Sequence, residues 1–451
     1  MDSASQLARL GLFDSRVPRY TSYPTAPQFA GGVGPDDFRT WIRAIPAHED
    51  ISLYLHVPFC RRLCWFCACR TQGTTSASPV AAYVEVLKAE LAMLARDLAP
   101  GVRLSRLHWG GGTPTLMSAE SITDLARAIA AVAPLAPSGE FSVEIDPNEV
   151  DDARLDALAA AGMNRASIGV QDFDPAIQRL IGREQSFEVT ALAARGLRAR
   201  GIRSLNADIL YGLPEQTPDR ITRSVEQLLE IGPDRVALYG YAHVPWMSRR
   251  QQLIPTDALP GPEARLDLFH VARELFLAAG YVQIGIDHFA RPGDGLARAQ
   301  AEGRLRRNFQ GYTDDPAQAL VGVGASSISR LPQGYAQNAA ATGEYVRAIE
   351  AGHHATTRGH RFTDEDRLHG RLIEAVMCDF AISADELRRD FGLSDAALSA
   401  LFTPVVARFE GLVVQDRAGL RIRPEGQALT RIIARAFDAR DEARAAYSGA
   451  I

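Results

Sequence analysis

Lysine is almost absent: Lys88 is the only one among 49 basic residues in a chain of 451, and all the others are arginine. Lys88 falls inside AAYVEVLKAELAMLARDLA, which reads as a helix, so no lysine is placed for a Schiff base with pyridoxal phosphate or a carbonyl substrate. There is no GxxxxGK[ST] phosphate loop either. Long apolar runs are also missing. Without an apolar signal segment or a bilayer-length stretch, the chain reads as soluble and cytoplasmic, with no membrane insertion and with its thiols reduced. The formal net charge of −5 argues against general nucleic-acid binding. No tandem repeat or low-complexity segment stands out, and the length predicts a large core domain with smaller appendages.

Cysteine is scarce but crowded. Of five in the chain, Cys60, Cys64, Cys67 and Cys69 lie within ten residues, the first three spaced C-x3-C-x2-C. Such soft ligands mean iron–sulfur or zinc. Structural zinc takes four ligands, usually from two separated knuckles, and no second knuckle is present. The remaining cysteine, Cys378 in the apolar IEAVMCDF, reads as buried filler. A 4Fe-4S cluster held by Cys60, Cys64 and Cys67 would leave one iron without a protein ligand, and an open metal position is where substrate chemistry happens. Cys69, two residues past Cys67, would strain to reach the same cluster; it points to the ligand side or is simply a nearby thiol.

Runs rich in β-formers alternate with helical patterns. ISLYLHV (51–57), RLHWG (106–110), FSVEID (141–146), RASIGV (165–170), LNADILYG (205–212), RVALYGY (235–241) and VQIGI (282–286) read as strands. SAESITDLARAIAAVA and DDARLDALAAAG read as intervening helices. Repeated β–α units predict an α/β fold with a parallel sheet, either doubly wound or rolled into a whole or partial barrel. Polar residues favour the barrel. The cysteine loop follows the first strand, Gly110-Gly111-Gly112-Thr113-Pro114-Thr115 the second, and Glu144 and Asp146 end the third. Gln171 and Asp172 end the fourth, Asp208 is late in the fifth, and Tyr241-Ala242-His243 close the sixth. The C-terminal ends of parallel strands are where barrel enzymes keep their active sites.

The triple glycine is neither a dinucleotide nor a phosphate-loop motif. Three residues without Cβ let the backbone approach a ligand closely, and a following helix start can receive a carboxylate. Alone such a run marks only a turn; beside the cysteines it suits an amino acid bound at an open iron. Glu144 suits ribose hydroxyls or an ammonium, or is a solvated strand-end carboxylate.

Tyr54-x-His56-x-Pro58-Phe59-Cys60-x3-Cys64-x-Phe66-Cys67 followed by GGGTPT resembles the radical S-adenosylmethionine (SAM) superfamily. The fourth cysteine, in Cys67-x-Cys69, resembles its oxygen-independent coproporphyrinogen III oxidases. PRYTSYPTA (18–26), Gln171-Asp172-Phe173, Ile181-Gly182-Arg183, DILYGLP (208–214), YAHVPW (241–246), DHFARP (287–292) and RRNFQGYT (306–313) extend the resemblance over nearly the whole chain. It implies a partial (β/α)6 TIM-type barrel and an enzyme that converts coproporphyrinogen III to protoporphyrinogen IX. A SAM-derived 5'-deoxyadenosyl radical would take hydrogen from a propionate β-carbon before carbon dioxide leaves and an acceptor removes one electron. By the same resemblance Cys60, Cys64 and Cys67 ligate the cluster, and Tyr54, Gly111 and Glu144 hold the SAM on the unique iron. Phe66, Gly112, Thr113, Gln171, Arg183, Asp208, Ala242 and Ile328 match positions contacting a second SAM. Phe309 and Gln310 match substrate-side or second-ligand positions. Tyr54, Glu144, Phe309 and Gln310 are thus the catalytic candidates. The substrate carries four propionates, and Arg19, Arg291, Arg306 and Arg307 are candidates to meet them. An electron donor and an acceptor, neither identifiable from sequence, and a monomeric state are further implications.

Three segments result: an N-terminal arm (1–50) that folds over the barrel mouth, the barrel with its substrate-side extension (51–354), and a C-terminal domain (355–451). In the last, TTRGHRFTDEDRLHGRLIEAVMCDFAISADELRRDFG reads as helices and GLVVQDRAGLRIRPEGQALTRIIARAF as strand, turn, strand and helix, a winged-helix-like order. Three alternatives stand beside the oxidase: a haem chaperone relative, which typically lacks the fourth cysteine and the PRYTSYP arm; a haem-degrading methyltransferase relative, disfavoured by RRNFQGY; and a purely structural iron–sulfur or zinc protein, which needs no polar strand ends.

Overall fold

In the computed structural model, which describes residues 3–440 and 447–451, the apolar runs become the strands of one twelve-stranded sheet. Six parallel strands form its centre: β1 (Asp50–Val57), β2 (Arg103–Gly111), β3 (Leu135–Ile145), β4 (Arg165–Gln171), β5 (Ser204–Tyr211) and β6 (Arg235–Gly240). They lie side by side in chain order and are followed in turn by helices α1 (Ser78–Asp97), α2 (Ala119–Val132), α3 (Asp152–Ala160), α4 (Phe187–Ala199), α5 (Pro218–Ile231) and α6 (Pro262–Ala278). The fold is an open, partial (β/α)6 barrel. The strands read as near-continuous apolar runs because helices cover one face and core side chains the other. The helix starts are sharp: Ser118, Asp151, Ser186 and Thr217 cap α2 to α5 with side-chain oxygens, satisfying backbone N–H groups that the first turn leaves over.

On the far side of β6 the sheet continues antiparallel with β7 (Val282–Ile284) and β8 (His288–Ala290). On the β1 side it continues with β9 (Leu320–Val323), parallel to β1, and then with the meander β10 (Ile328–Leu331), β11 (Gly334–Asn338) and β12 (Thr356–Arg361). Thr356–Arg361 is therefore a sheet-edge strand and not helix, because its backbone pairs with β11. We propose that the C-terminal domain starts at α7 (Asp364–Asp379) rather than at 355.

That region supplies α7, α8 (Ala384–Phe391), α9 (Asp395–Arg408), α10 (Thr430–Arg435) and a small sheet of residues 381–383, 413–416 and 419–422, the winged-helix order. The N-terminal arm divides between two cores. Leu7, Leu12, Val17, Tyr20 and Tyr23 pack with the C-terminal helices, whereas Val33, Phe38, Trp41 and Ile42 pack into the barrel. One segment thus clamps both bodies together. No described helix is long and apolar enough to cross a membrane.

Buried Glu90 on α1 fastens the extension to the barrel. It accepts hydrogen bonds from the Gly324 amide (2.8 Å), the Asn338 side chain (2.8 Å) and the Tyr345 hydroxyl (2.6 Å). Neighbouring Tyr83 donates to the His56 carbonyl and accepts from the Ala325 amide, so the loop after β9 is held against the exit of β1. Glu90→Leu strands three donors and should cost about 2–4 kcal/mol, lowering the thermal midpoint clearly more than Glu90→Gln does. Equal melting of both variants would show that the carboxylate does not hold this junction.

Candidate functional site

The site begins where β1 and β2 end. The Gly112 amide donates to the Val57 carbonyl (2.8 Å) and the Thr113 amide to the Phe59 carbonyl (2.7 Å), strapping the glycine run onto the start of the cysteine loop. Protein atoms fill the space where each Cβ would go. At Gly110 a Cβ would stand 2.7 Å from Glu144 Oε1, at Gly111 (φ +111°) 2.6 Å from the His56 ring, and at Gly112 it would collide with the Phe59 carbonyl oxygen. The run is glycine because strand exits must touch each other, a reason that close approach of a ligand does not supply.

Tyr54 and His108 are cross-strand partners on β1 and β2, their rings stacked 5.7 Å apart, and the Tyr54 hydroxyl lies 2.9 Å from His56 Nδ1. Glu144 Oε2 accepts the Gly111 amide (3.1 Å), and Oε1 lies 3.4 Å from His108 Nε2. Burial, and after it the Glu144 carboxylate, holds the Tyr54 phenol well above its ordinary range. Gly111 and Glu144 are therefore bonded directly, and Tyr54 joins them through the stacked His108 ring.

The next strand ends add a second. A register shift in β4 beside Gly169 and a left-handed backbone at Gln171 (φ +69°) turn that strand end, the kind of irregularity that re-aims a side chain at a site. Arg183 reaches back from its loop: Nη2 donates to the Gly169 carbonyl (2.9 Å), and Nη1 lies 3.5 Å from Asp146 Oδ2 and 3.6 Å from Cys64 Sγ. Its Nε is buried with no partner, a donor aimed at something the protein does not provide. Asp208 on β5 accepts from Asn206 (2.8 Å), and its carboxyl is pushed up to about 6 by burial and by the Glu144 charge.

Three other residues lie elsewhere. Asp172 is fully buried and faces outward, held by Ser224 of α5 (2.8 Å) and Gln216 (2.8 Å); it pins the strand end and does not enter the mouth. Ile328 pairs across from Gly322, which in turn pairs with Tyr54, so it shares their row without lining the large cavity described below. Arg291 follows antiparallel β8, which delivers it to the opposite end of the sheet, its amide on the Asp234 carbonyl and its guanidinium over Tyr281.

The donor set suits an iron–sulfur group. Cys60, Cys64 and Cys67 are half-buried on one loop, which is tied at both ends by short pairing of Phe59–Cys60 with Gln72–Gly73. Burial pushes the Cys60 thiol up to about 11, whereas hydrogen bonds from Cys69 bring Cys67 down to about 6. A cationic iron group bound here would favour the thiolate form of all three. Phe66 packs beneath, with Ile177, Ile181, Leu213 and Tyr241, and its carbonyl shares Gln251 Nε2 with that of Ala242.

Beside this group opens a cavity of about 980 Å³, lined among others by Cys69, Ala242, Phe309, Gln310, Arg19 and Arg307. Cys69 is thus the cysteine of the four that borders this cavity. Phe309 lies edge-on to Tyr335 (5.4 Å). Arg306 is outside the lining; unanticipated are Arg265 on α6, Arg431 on α10, Asp287, Tyr211 and Tyr239, contributed by segments with no distinctive motif of their own or by motifs read only as likenesses. Burial, then the neighbouring Arg19 charge, pushes the Arg431 guanidinium down to about 9.

Residues 54–228 match the Radical SAM superfamily. The chain is 67% identical, over its whole length and that of the relative, to the oxygen-independent coproporphyrinogen III oxidase of Paracoccus denitrificans. It is 36% identical to that of Escherichia coli, with 96% of this chain and 94% of the relative covered. The solved structure of the Escherichia coli coproporphyrinogen III oxidase, described as a radical SAM enzyme, superposes with a TM-score of 0.89 at 35% identity, covering 94% of this chain and all of that one.

Because the Asp208 carboxyl is held near 6, against an ordinary value of 3.8, it keeps its proton longer in the folded protein. Ionising it therefore costs stability as pH rises through that window, a cost characteristic of site residues. If Asp208 accepts ribose hydroxyls, SAM affinity measured by anaerobic equilibrium dialysis should fall as pH drops from 7 to 5, with its midpoint near 6. Asp208→Asn should flatten that fall; an identical profile in the variant would remove Asp208 from the ligand.

Proposed function

Since the chain belongs to the oxygen-independent coproporphyrinogen III oxidases of the radical SAM superfamily, we propose that it converts coproporphyrinogen III to protoporphyrinogen IX in haem biosynthesis, turning two propionates into vinyl groups without oxygen. The observation that carries the substrate reading is the charge of the cavity: five arginines, Arg19, Arg265, Arg273, Arg307 and Arg431, face it against two acids, Asp287 and Glu425. A ligand with several carboxylates answers that imbalance.

When bound, the cluster and SAM supply the 5'-deoxyadenosyl radical. Cys60, Cys64 and Cys67 would hold the iron, and Tyr54, Gly111 and Glu144 the first SAM. A second SAM is our finer proposal, with Phe66, Gly112, Thr113, Gln171, Arg183, Asp208, Ala242 and Ile328 as its contacts; the unpartnered Arg183 Nε supports a carboxylate there. Arg19 uses Nη2 on the Gly240 carbonyl (2.8 Å), and Arg307 has Nε and Nη1 buried without partners, so these two have donors to offer a propionate. Arg265 and Arg431 place theirs on main-chain carbonyls and contribute mainly field. Phe309 and Gln310 border the same space. The arm and the C-terminal helices roof it, which supports exclusion of water from a reactive carbon radical. A cytoplasmic, monomeric enzyme served by separate electron-donor and electron-acceptor partners completes the proposal.

Two experiments test it. Anaerobic incubation of the reconstituted protein with dithionite, SAM, coproporphyrinogen III and an electron acceptor should yield 5'-deoxyadenosine and a tetrapyrrole lighter by two carbon dioxide units. SAM cleavage with an unchanged tetrapyrrole would overturn the substrate and make haem the next ligand to test. Arg19→Gln and Arg307→Gln should each raise the KM for coproporphyrinogen III by about tenfold to a hundredfold, a charge-assisted hydrogen bond being worth about 1.5–3 kcal/mol, while leaving SAM affinity unchanged. Unaltered KM in both would mean the propionates bind elsewhere.

A further inference from the structure

The arginine-lined cavity holds one charge that propionate binding does not call for. Asp287 and Glu425 are the two acids that line it; Glu425 is exposed to solvent, whereas Asp287 is half-buried on the turn between β7 and β8, at the head of the DHFARP run. That turn is firmly seated. The Asp287 carbonyl accepts the Leu238 amide of β6 (2.8 Å), the Ile286 amide donates to the Tyr312 hydroxyl (2.9 Å), and the same hydroxyl donates to the Met377 carbonyl of α7 (2.9 Å). The side chain is aimed as closely as its backbone. His288 Nδ1 lies 2.7 Å from Asp287 Oδ1, and the other ring nitrogen, Nε2, lies 3.4 Å from the Tyr239 hydroxyl. An ionised carboxylate only accepts, so Nδ1 carries the proton and the buried imidazole fixes which oxygen stays behind.

An acid in such company ordinarily pairs with an arginine. Among the described residues the Asp287 carboxylate has His288 as its one partner, and no guanidinium comes within ion-pair distance of it. The arginine charges still reach it. Burial works against ionisation, but the bond from His288 and then the His288, Arg307 and Arg19 charges hold the carboxyl below its ordinary range, so it is an anion at neutral pH. Oδ2 accepts from no protein donor, and the residue that carries it borders the cavity. The cavity thus offers a fixed anionic acceptor among cationic donors. A ligand that answers both has carboxylates on its periphery and N–H groups of its own.

We infer that the Asp287 carboxylate accepts the pyrrole N–H groups of the tetrapyrrole and so selects the reduced, porphyrinogen form of the macrocycle over its flat, conjugated form. The inference rests on the substrate reading above. In a porphyrinogen the saturated bridges let the four pyrroles tilt, and their N–H groups can turn to one side and converge on a single anion. In a porphyrin conjugation keeps the rings coplanar, half of the nitrogens carry no hydrogen, and the remaining N–H bonds point inward in the plane. In haem the iron occupies all the nitrogens. Neither flat molecule satisfies a half-buried carboxylate, and a site built to bond an N–H group rejects a ligand that cannot present one. The arginines cannot make this distinction, because coproporphyrinogen III and coproporphyrin III carry the same propionates. His288 acts as a positioning residue, holding Oδ1 so that Oδ2 is left for the ligand.

The test is anaerobic equilibrium dialysis of the reconstituted full-length protein, without reductant, against coproporphyrinogen III and separately against coproporphyrin III. Samples of the first are oxidised afterwards and read by porphyrin fluorescence. The unaltered protein should hold the porphyrinogen at least about tenfold more tightly than the porphyrin, as befits a charge-assisted hydrogen bond. In Asp287→Asn, His288 keeps the amide oxygen and the NH2 group takes the place of Oδ2, so donors meet donors. Porphyrinogen affinity should then fall at least about tenfold, while porphyrin affinity holds or rises because a negative charge has left an arginine-rich cavity. Asp287→Ala should shift the two affinities in the same directions. A carboxylate that served only as counter-charge to the arginines would, on removal, let both ligands bind more tightly, and that outcome overturns the inference. Equal loss of both affinities overturns it too, since it marks a role in the fold alone. If the unaltered protein binds no coproporphyrinogen III, it is the substrate reading that fails.

Discussion

Two backbone hydrogen bonds, from Gly112 to Val57 and from Thr113 to Phe59, hold the site together because they join the exits of two neighbouring strands without any intervening side chain. A strand exit is normally a place where chains diverge. Here the absence of three Cβ atoms lets the second exit lie on the first, and the thiol loop inherits its position from that contact. Glu144 on the third strand then bonds the same glycine run, and His108 and Tyr54 stack beside it. A rigid frame of this kind is what a short-lived radical needs, since orientation decides which hydrogen it takes.

The second constraint is electrostatic. Gathering Arg19, Arg265, Arg307 and Arg431 around one enclosed space is costly, and the downward push on Arg431 records it. Main-chain carbonyls partly offset the cost: Arg431 donates to Val17 and Pro18 of the arm and to Gly449 and Ala450, and Arg265 to Gly212 and Tyr241. The charges that await a ligand therefore also fasten the arm and the C-terminal region to the barrel.

How much of this was readable depended on whether a residue's reason was local. The six central strands announce themselves as short apolar runs because both of their faces are covered, and their C-terminal bounds fall close to those read from composition, whereas β3 starts at Leu135, well before FSVEID. Strands β9 to β12 do not: LVGV, ISRL and GYAQN are short or glycine-bearing, and the run from Thr356 onward is polar, being an edge whose pairing partner lies across an intervening helix. Asp172 looked like a mouth residue since it follows Gln171, but the left-handed turn at Gln171 sends the next side chain to the helix side. Arg291 was misplaced for a related reason: the direction of β8 cannot be told from its three residues. Arg265 and Arg431 lie in ordinary amphipathic helices, and only tertiary packing makes them neighbours.

The cysteine loop shows how one short segment can satisfy demands from several directions. Its inner side carries three half-buried thiols beside Thr113 and Arg183, Cys69 opens onto the arginine-lined cavity, and its outer carbonyls are bound by Ser248, Arg250 and Gln251. Those last bonds add to the packing of Phe66 and to the pairing of Phe59–Cys60 with Gln72–Gly73, which hold the loop from its other sides. By using the carbonyls of Phe66, Cys67 and Cys69, the segment after β6 holds the thiol loop by its backbone and makes no bond to a sulfur atom itself. The same segment leaves Trp246 and Met247 exposed, so the loop has a ligand cavity on one side and a segment with exposed apolar side chains on another.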